Sequence, residues 1–226
     1  GILITDETGR ITDFEEKPAH PRSNLASMGI YIFTWSVLRE ALIKNANIAN
    51  CDFGMHVIPY CHQKGDRIFC YEYTGYWKDV GTLGSYWEAN MELIDIVPVF
   101  NLYEEYWKIY TKSYSMPPQY VAPNAVVERC IMGNVKIGKG TKITKAIIAE
   151  DTVVGENCEL GVGEYAESQY NKKVYAFDLV TIGENSVIPS GVKIGKNTAI
   201  SGVTELNDYP NKELASGGYI IKGGEA

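Results

Sequence analysis

Two rhythms of apolar and polar residues divide this sequence. From Gly1 to about Leu102 the pattern is mixed. Ile2 to Thr5 and Arg10 to Phe14 run apolar or alternate on either side of Asp6 to Gly9, whose turn residues predict a hairpin. Strands are predicted over Met28 to Phe33 and over Arg67 to Tyr73. Between them Trp35, Leu38, Ala41 and Leu42 recur at helical spacing behind Thr34, which predicts a helix to about Asn45 with that threonine as its cap. A second helical face, Leu83, Tyr86, Trp87, Met91 and Ile94, follows a capping Thr82. Asp79 then falls in a turn where a strand hands over to a helix, and strand ends are where α/β folds keep their chemistry.

The later half changes period. Apolar or small residues recur every six positions at Ala125, Ile131, Ile137, Ile143 and Ala149, and again at Ile182, Ile188, Ile194 and Ile200. The runs IGKG at Ile137, VGEN at Val154, IGEN at Ile182 and IGKN at Ile194 each join an aliphatic residue, a glycine and a polar turn. A six-residue period predicts short strands joined by turns, with the aliphatic side chain inside a narrow coil: a parallel β-helix. The period fails between Leu160 and Asp178, which predicts a loop leaving the coil. Tyr103 to Ser115 with Pro117 and Pro118 reads as a linker, with helical spacing at Tyr103, Tyr106, Trp107 and Tyr110. The expected organisation is therefore a mixed α/β segment at 1–102, a linker at 103–119 and the β-helix with its tail at 120–226.

Charge and cysteine content narrow the partners. At 226 residues with a net charge of −7, the chain offers no general electrostatic attraction for nucleic acid or an anionic membrane, so small molecules and proteins are the expected partners. Five cysteines without a CxxC pair suit free thiols in a reducing compartment. No run approaches a membrane span and no signal peptide opens the sequence, so the expectation is a soluble, cytoplasmic protein. Gly1 opens directly on strand-like alternation, and the chain is expected to be the later part of something longer.

Three stretches of the first half carry candidate chemistry: FEEKP at Phe14 to Pro18, SNLASMGIYIF at Ser23 to Phe33, and GYWKDVGT at Gly75 to Thr82. Together with the six-residue repeat, and in this order, they resemble the later part of the bacterial glucose-1-phosphate adenylyltransferase (ADP-glucose pyrophosphorylase) family. That resemblance implies the C-terminal part of a Rossmann-like nucleotidyltransferase domain followed by a left-handed parallel β-helix. It also implies synthesis of ADP-glucose from ATP and glucose 1-phosphate for glycogen, Mg²⁺ as cofactor, and a homotetramer, or a hetero-oligomer with a homologous subunit, that answers allosteric effectors. On the matching positions, Glu16 accepts hydrogen bonds from glucose hydroxyls and Lys17 pairs with the phosphate. Ser27 contacts glucose 1-phosphate with the backbone of Met28 and Gly29 nearby, and Asp79 holds the metal. These residue types suit the roles: the attack of a sugar phosphate on the α-phosphorus of ATP needs positioning, a cation and basic groups rather than a covalent nucleophile. The resemblance further implies that Glu16, Lys17 and Asp79 meet at one cavity wall. The family's opening glycine-rich nucleotide loop and a further metal-binding aspartate are absent from these residues, so the chain alone is expected not to turn over.

Plainer readings stand beside these. Asp79 is equally a turn cap, Glu16 and Lys17 an exposed ion pair, and the tryptophans and tyrosines core or interface residues. Acyltransferases also use hexapeptide coils but require a histidine base, and no histidine follows His62. His20, His56 and His62 have no metal-ligand spacing. A regulatory, non-catalytic homologous subunit and a nucleotidyltransferase for another sugar or base complete the alternatives.

Overall fold

The computed structural model describes residues 1–108, 110–111 and 115–222. Part of the expected linker and the tail with its Gly223–Gly224 pair lie outside the described residues. By their contacts the residues form two compact units, Gly1–Gly75 and Tyr76–Ala226.

The first unit begins with the expected hairpin. β1 (Ile2–Thr5) and β2 (Ile11–Glu15) pair antiparallel, with β3 (Leu25–Ala26) on the other side of β1. Asp6 closes the turn by accepting from the backbone of Thr8 and Arg10, at 2.8 and 3.1 Å. Helix α1 (Trp35–Lys44) matches its predicted span, but Thr34 marks its start through extended backbone and makes no side-chain cap bond. A π-turn at Phe53–Val57 runs into α2 (Ile58–Gln63). Ala41, Val57 and Cys61 form the core between these helices, with Phe33, Val37, Leu38 and Ile68 packed on it. The strands expected over Met28 to Phe33 and Arg67 to Tyr73 do not form. An alternating sequence becomes a strand only where a neighbour supplies the ladder. Residue 69 makes a single bridge to Arg10, and Ile30, Ile32 and Tyr71 are exposed.

The second unit opens with α3 (Leu83–Leu93), and here the predicted cap holds in full. The Thr82 hydroxyl accepts from the Ser85 backbone at 3.1 Å while the Ser85 hydroxyl accepts from the Thr82 backbone at 3.2 Å, a reciprocal capping box. Among the described residues of 103–111 no helix answers the spacing of Tyr103, Tyr106, Trp107 and Tyr110, and those four side chains are exposed.

From Tyr120 to Ile221 the chain winds as a parallel coil with three flat sheets, as the six-residue period predicts and as befits a left-handed hexapeptide β-helix. Aliphatic side chains stack in register down each sheet: Val121, Ile137, Val154 and Ile188 on the first; Val127, Ile143, Leu160, Ile194 and Leu214 on the second; Met132, Ile148, Ile182, Ile200 and Ile220 on the third. Most of these are fully buried. The repeat slips by one at two corners, so Met132 and Ile148, not Ile131 and Ala149, face inward. There the left-handed corner residues Arg129 and Lys145 follow Val127 and Ile143 by two positions, whereas left-handed Asn197 follows Ile194 by three. Buried hydroxyls tie successive turns. Thr141 donates to the Gly155 carbonyl at 2.6 Å and accepts from the Cys158 backbone at 3.1 Å, and Thr152 donates to the Gly183 carbonyl at 3.0 Å. The loop expected between Leu160 and Asp178 does leave the coil, after Val162, and returns at Val180.

Candidate functional site

The first unit holds a cleft of about 390 Å³ lined by Glu16, Ser27, Gly29, Tyr31, Asp52 and Gly54 among others. Each arrives there for a local reason. Glu16 is the residue just past β2, whose pairing with β1 fixes its direction. The preceding Glu15 and Asp13 are both held by Arg22, and that hydrogen bond is the main reason the Asp13 carboxyl lies below its ordinary range. Phe33 belongs to the helix core; Tyr31 meets it edge-on at 6.4 Å and stacks on Phe53 at 5.6 Å with the rings 7° apart. The Tyr31 hydroxyl then meets the Ser27 hydroxyl at 3.2 Å, and the Gly29 N–H donates to Ser27 at 3.3 Å. Gly29 has φ 72, a conformation that costs a side chain energy. Asp52 caps the π-turn by accepting from Met55 at 2.8 Å. A Cβ at Gly54 would stand 2.7 Å from Glu16 Oε2 and 3.3 Å from Asp52 Oδ1, so glycine is what lets both carboxylates approach this wall.

Two of the expected residues, Glu16 and Ser27, therefore share one cleft. Lys17 is exposed beside it, makes no hydrogen bond or ion pair among the described residues, and holds φ 47 immediately before Pro18. The left-handed region is sparsely used by lysine and a following proline disfavours compact backbone, so this is a strained position of the kind that gathers at functional sites. Tyr31, Asp52 and Gly54 were not singled out from the sequence. Tyr31 stands inside a quoted motif, but Asp52 and Gly54 belong to an unremarkable CDFG run whose importance comes only from folding.

Asp79 belongs to the second unit. Exposure alternates along its approach: Tyr76 and Lys78 are half-buried, Trp77 and Asp79 exposed. The half-buried pair is bound to α3, Tyr76 donating to Glu92 at 2.7 Å and Lys78 reaching Glu92 at 2.8 Å and Glu88 at 3.1 Å. The Lys78 bond is the leading cause that holds the Glu92 carboxyl below its ordinary range, and Glu92 in turn raises Lys78. Asp79 Oδ1 accepts from the Gly81 N–H at 3.0 Å, so the capping role and an outward carboxylate coexist. Among the described residues no group of three or more acidic, histidine or cysteine side chains could hold a metal alone. One exposed carboxylate nonetheless fits Mg²⁺, which keeps several waters and takes one or two carboxylates plus substrate phosphates.

Chemically, the first-unit cleft offers carboxylate and hydroxyl oxygens to a polyhydroxylated ligand, with a lysine at its margin for an anion.

Comparison with known proteins adds the lineage. Residues 1–96 match the nucleotidyl transferase family. Across all of this chain a glucose-1-phosphate adenylyltransferase of Lachnospira eligens is 57% identical, with 61% of that protein covered. Enzymes of the same name from Acetivibrio thermocellus and Thermotoga maritima are 37% and 44% identical over 100% and 98% of this chain, again covering 61% of each. The chain thus spans 61% of the length of these curated relatives. The resemblance carried by FEEKP, SNLASMGIYIF and GYWKDVGT is borne out: this chain is a homologue of the glucose-1-phosphate adenylyltransferases, with the nucleotidyl transferase pattern in its first 96 residues and a hexapeptide β-helix after them.

Proposed function

We propose that this chain contributes the sugar-phosphate site and a metal-binding aspartate to an enzyme that makes ADP-glucose from ATP and glucose 1-phosphate, releasing pyrophosphate. The observation that supports this most is the meeting of Glu16 and Ser27 in one cleft, where a carboxylate and a hydroxyl network suit sugar hydroxyls. In this reading Glu16 accepts from glucose hydroxyls, Ser27 contacts the sugar phosphate, and Lys17 neutralises the phosphate. Lys17 matters because a cleft with Glu16 and Asp52 in its wall otherwise repels an anion. Asp79 ligates Mg²⁺, which when bound screens the charge of the nucleotide phosphates. The attacking phosphate oxygen needs to be held and aligned, and positioning is the contribution of these side chains.

The same reading extends to ATP binding, a role in glycogen synthesis, a cytoplasmic setting, allosteric control and a homotetramer or a hetero-oligomer. Among the described residues no helix is long and apolar enough to cross a membrane. The catalytic role is favoured over a regulatory subunit because Glu16, Lys17, Ser27 and Asp79 are all present. Calorimetric titration with glucose 1-phosphate tests the proposal. Lys17→Ala should weaken binding by about 1.5–3 kcal/mol, roughly 10- to 150-fold, the range for a hydrogen bond to a charged group. An unchanged affinity in that variant removes Lys17 from the site, and no binding by the parent chain refutes the proposal.

A further inference from the structure

The loop that interrupts the coil is firmly anchored. It leaves the coil after Val162 and returns at Val180. Gln169 donates to the Gly217 carbonyl at 2.8 Å, and the Tyr170 ring lies 5.0 Å from Tyr219 and 5.6 Å from Tyr175. Asn197 holds both ends: its Nδ2 donates to the Ala166 carbonyl and its Oδ1 accepts from the Asp178 N–H, each at 2.8 Å. Asn197 is 1% exposed, so its side of both bonds is shielded from water. At the returning end two successive residues, Phe177 and Asp178, hold φ 64 and 62. Left-handed backbone at two adjacent residues other than glycine persists only where the surroundings over-determine it.

That conformation aims the Phe177 ring at the first turn of α3. A Cβ at Gly84 would stand 2.5 Å from two ring carbons and 2.8 Å from a third, which accounts for a glycine in a helix. One turn further, Trp87 Nε1 donates to the Arg129 carbonyl at 2.8 Å, with the cations of Arg129 and Lys145 each 5.0 Å from its ring. Lys145 lies 4.0 Å from Asp178. A coil corner and the loop thus hold the same helix. The Asp79 turn moves with that helix, because the capping box joins it at one end and the Tyr76 and Lys78 bonds to Glu92 join it at the other.

We propose that the loop at 163–179 is a clamp on α3, and that Phe177, held through Asp178 by Asn197, is a positioning residue for Asp79. The second clause rests on the metal-binding reading of Asp79 given above.

Hydrogen exchange read by mass spectrometry tests the clamp. Phe177→Ala should raise exchange in peptides over 80–91 at least tenfold and leave the coil strands at 187–200 unchanged, whereas Phe177→Tyr should keep the parent pattern. Tyr170→Ala alters the base of the loop and should raise exchange in α3 in the same direction. Unchanged α3 protection in Phe177→Ala, or in Tyr170→Ala despite a loosened loop, overturns the clamp. In assays of ADP-glucose formation by the full-length enzyme, Phe177→Ala should raise the Mg²⁺ concentration for half-maximal rate several-fold and lower kcat, with the KM for glucose 1-phosphate unchanged. Exchange as expected with an unaltered Mg²⁺ response overturns the positioning of Asp79 and leaves the clamp standing.

Discussion

Thr141 separates hydrogen bonding from packing in the coil. It is fully buried, donates to the Gly155 carbonyl at 2.6 Å and accepts from the Cys158 N–H at 3.1 Å. Valine has nearly the same shape, so Thr141→Val keeps the volume and strands one buried acceptor and one buried donor. Each such group costs about 1–3 kcal/mol, and partial relaxation brings the expected total to about 2–4 kcal/mol. Thr141→Ser keeps the hydroxyl and loses one methyl, about 1 kcal/mol of transfer and cavity energy. The hydroxyl term exceeds the methyl term, so the order of stability should be threonine, serine, valine. Native-state hydrogen exchange reads this directly as the opening free energy of coil amides around Cys158, without assuming that both units unfold together. If the valine variant protects these amides as well as the serine variant does, the coil is held at this point by packing alone and the account of its hydroxyl bridges is wrong.

Two further outcomes are expected. In the full-length enzyme Asp79→Asn should depress kcat for ADP-glucose formation and shift the Mg²⁺ requirement upward, with little change in the KM for glucose 1-phosphate; an unaltered metal response assigns Asp79 to the turn alone. Burial pushes the Tyr209 hydroxyl up to about 12, against the opposing hydrogen bond with Thr204 at 2.8 Å. Because the folded state keeps this proton longer than the unfolded chain does, Tyr209 favours folding fully below pH 10. That contribution fades as the pH rises toward 12. Denaturation between pH 9 and 11.5 should show a steeper loss for the parent than for Tyr209→Phe, by about 1–2 kcal/mol; parallel losses would contradict it.

The coil was legible because its signal is repeated: each sheet column is built from the same aliphatic choice, and errors were confined to the corners that turn in fewer residues. The hairpin and both longer helices were legible through Asp6, Thr82 and their apolar faces. Strands at 28–33 and 67–73 were not, since alternation states only that a strand is possible and a ladder needs a neighbour. Glu16 and Ser27 could be found as parts of recognisable motifs. Asp52 and Gly54 reach the cleft through the π-turn, and Phe177 reaches Gly84 through a loop with no periodic pattern, so in both cases the signal exists only after folding.

The central claim is that Glu16 and Ser27 form the wall of a glucose 1-phosphate site. Backbone NMR of the isotope-labelled chain, titrated with that ligand to about 10 mM, where even a millimolar complex is nearly saturated, tests it most directly. Saturable shifts at Ser27, Gly29, Tyr31 and Gly54, much weakened in Glu16→Gln, are the predicted result. Shifts confined to the coil, or a response that Glu16→Gln leaves untouched, would contradict it.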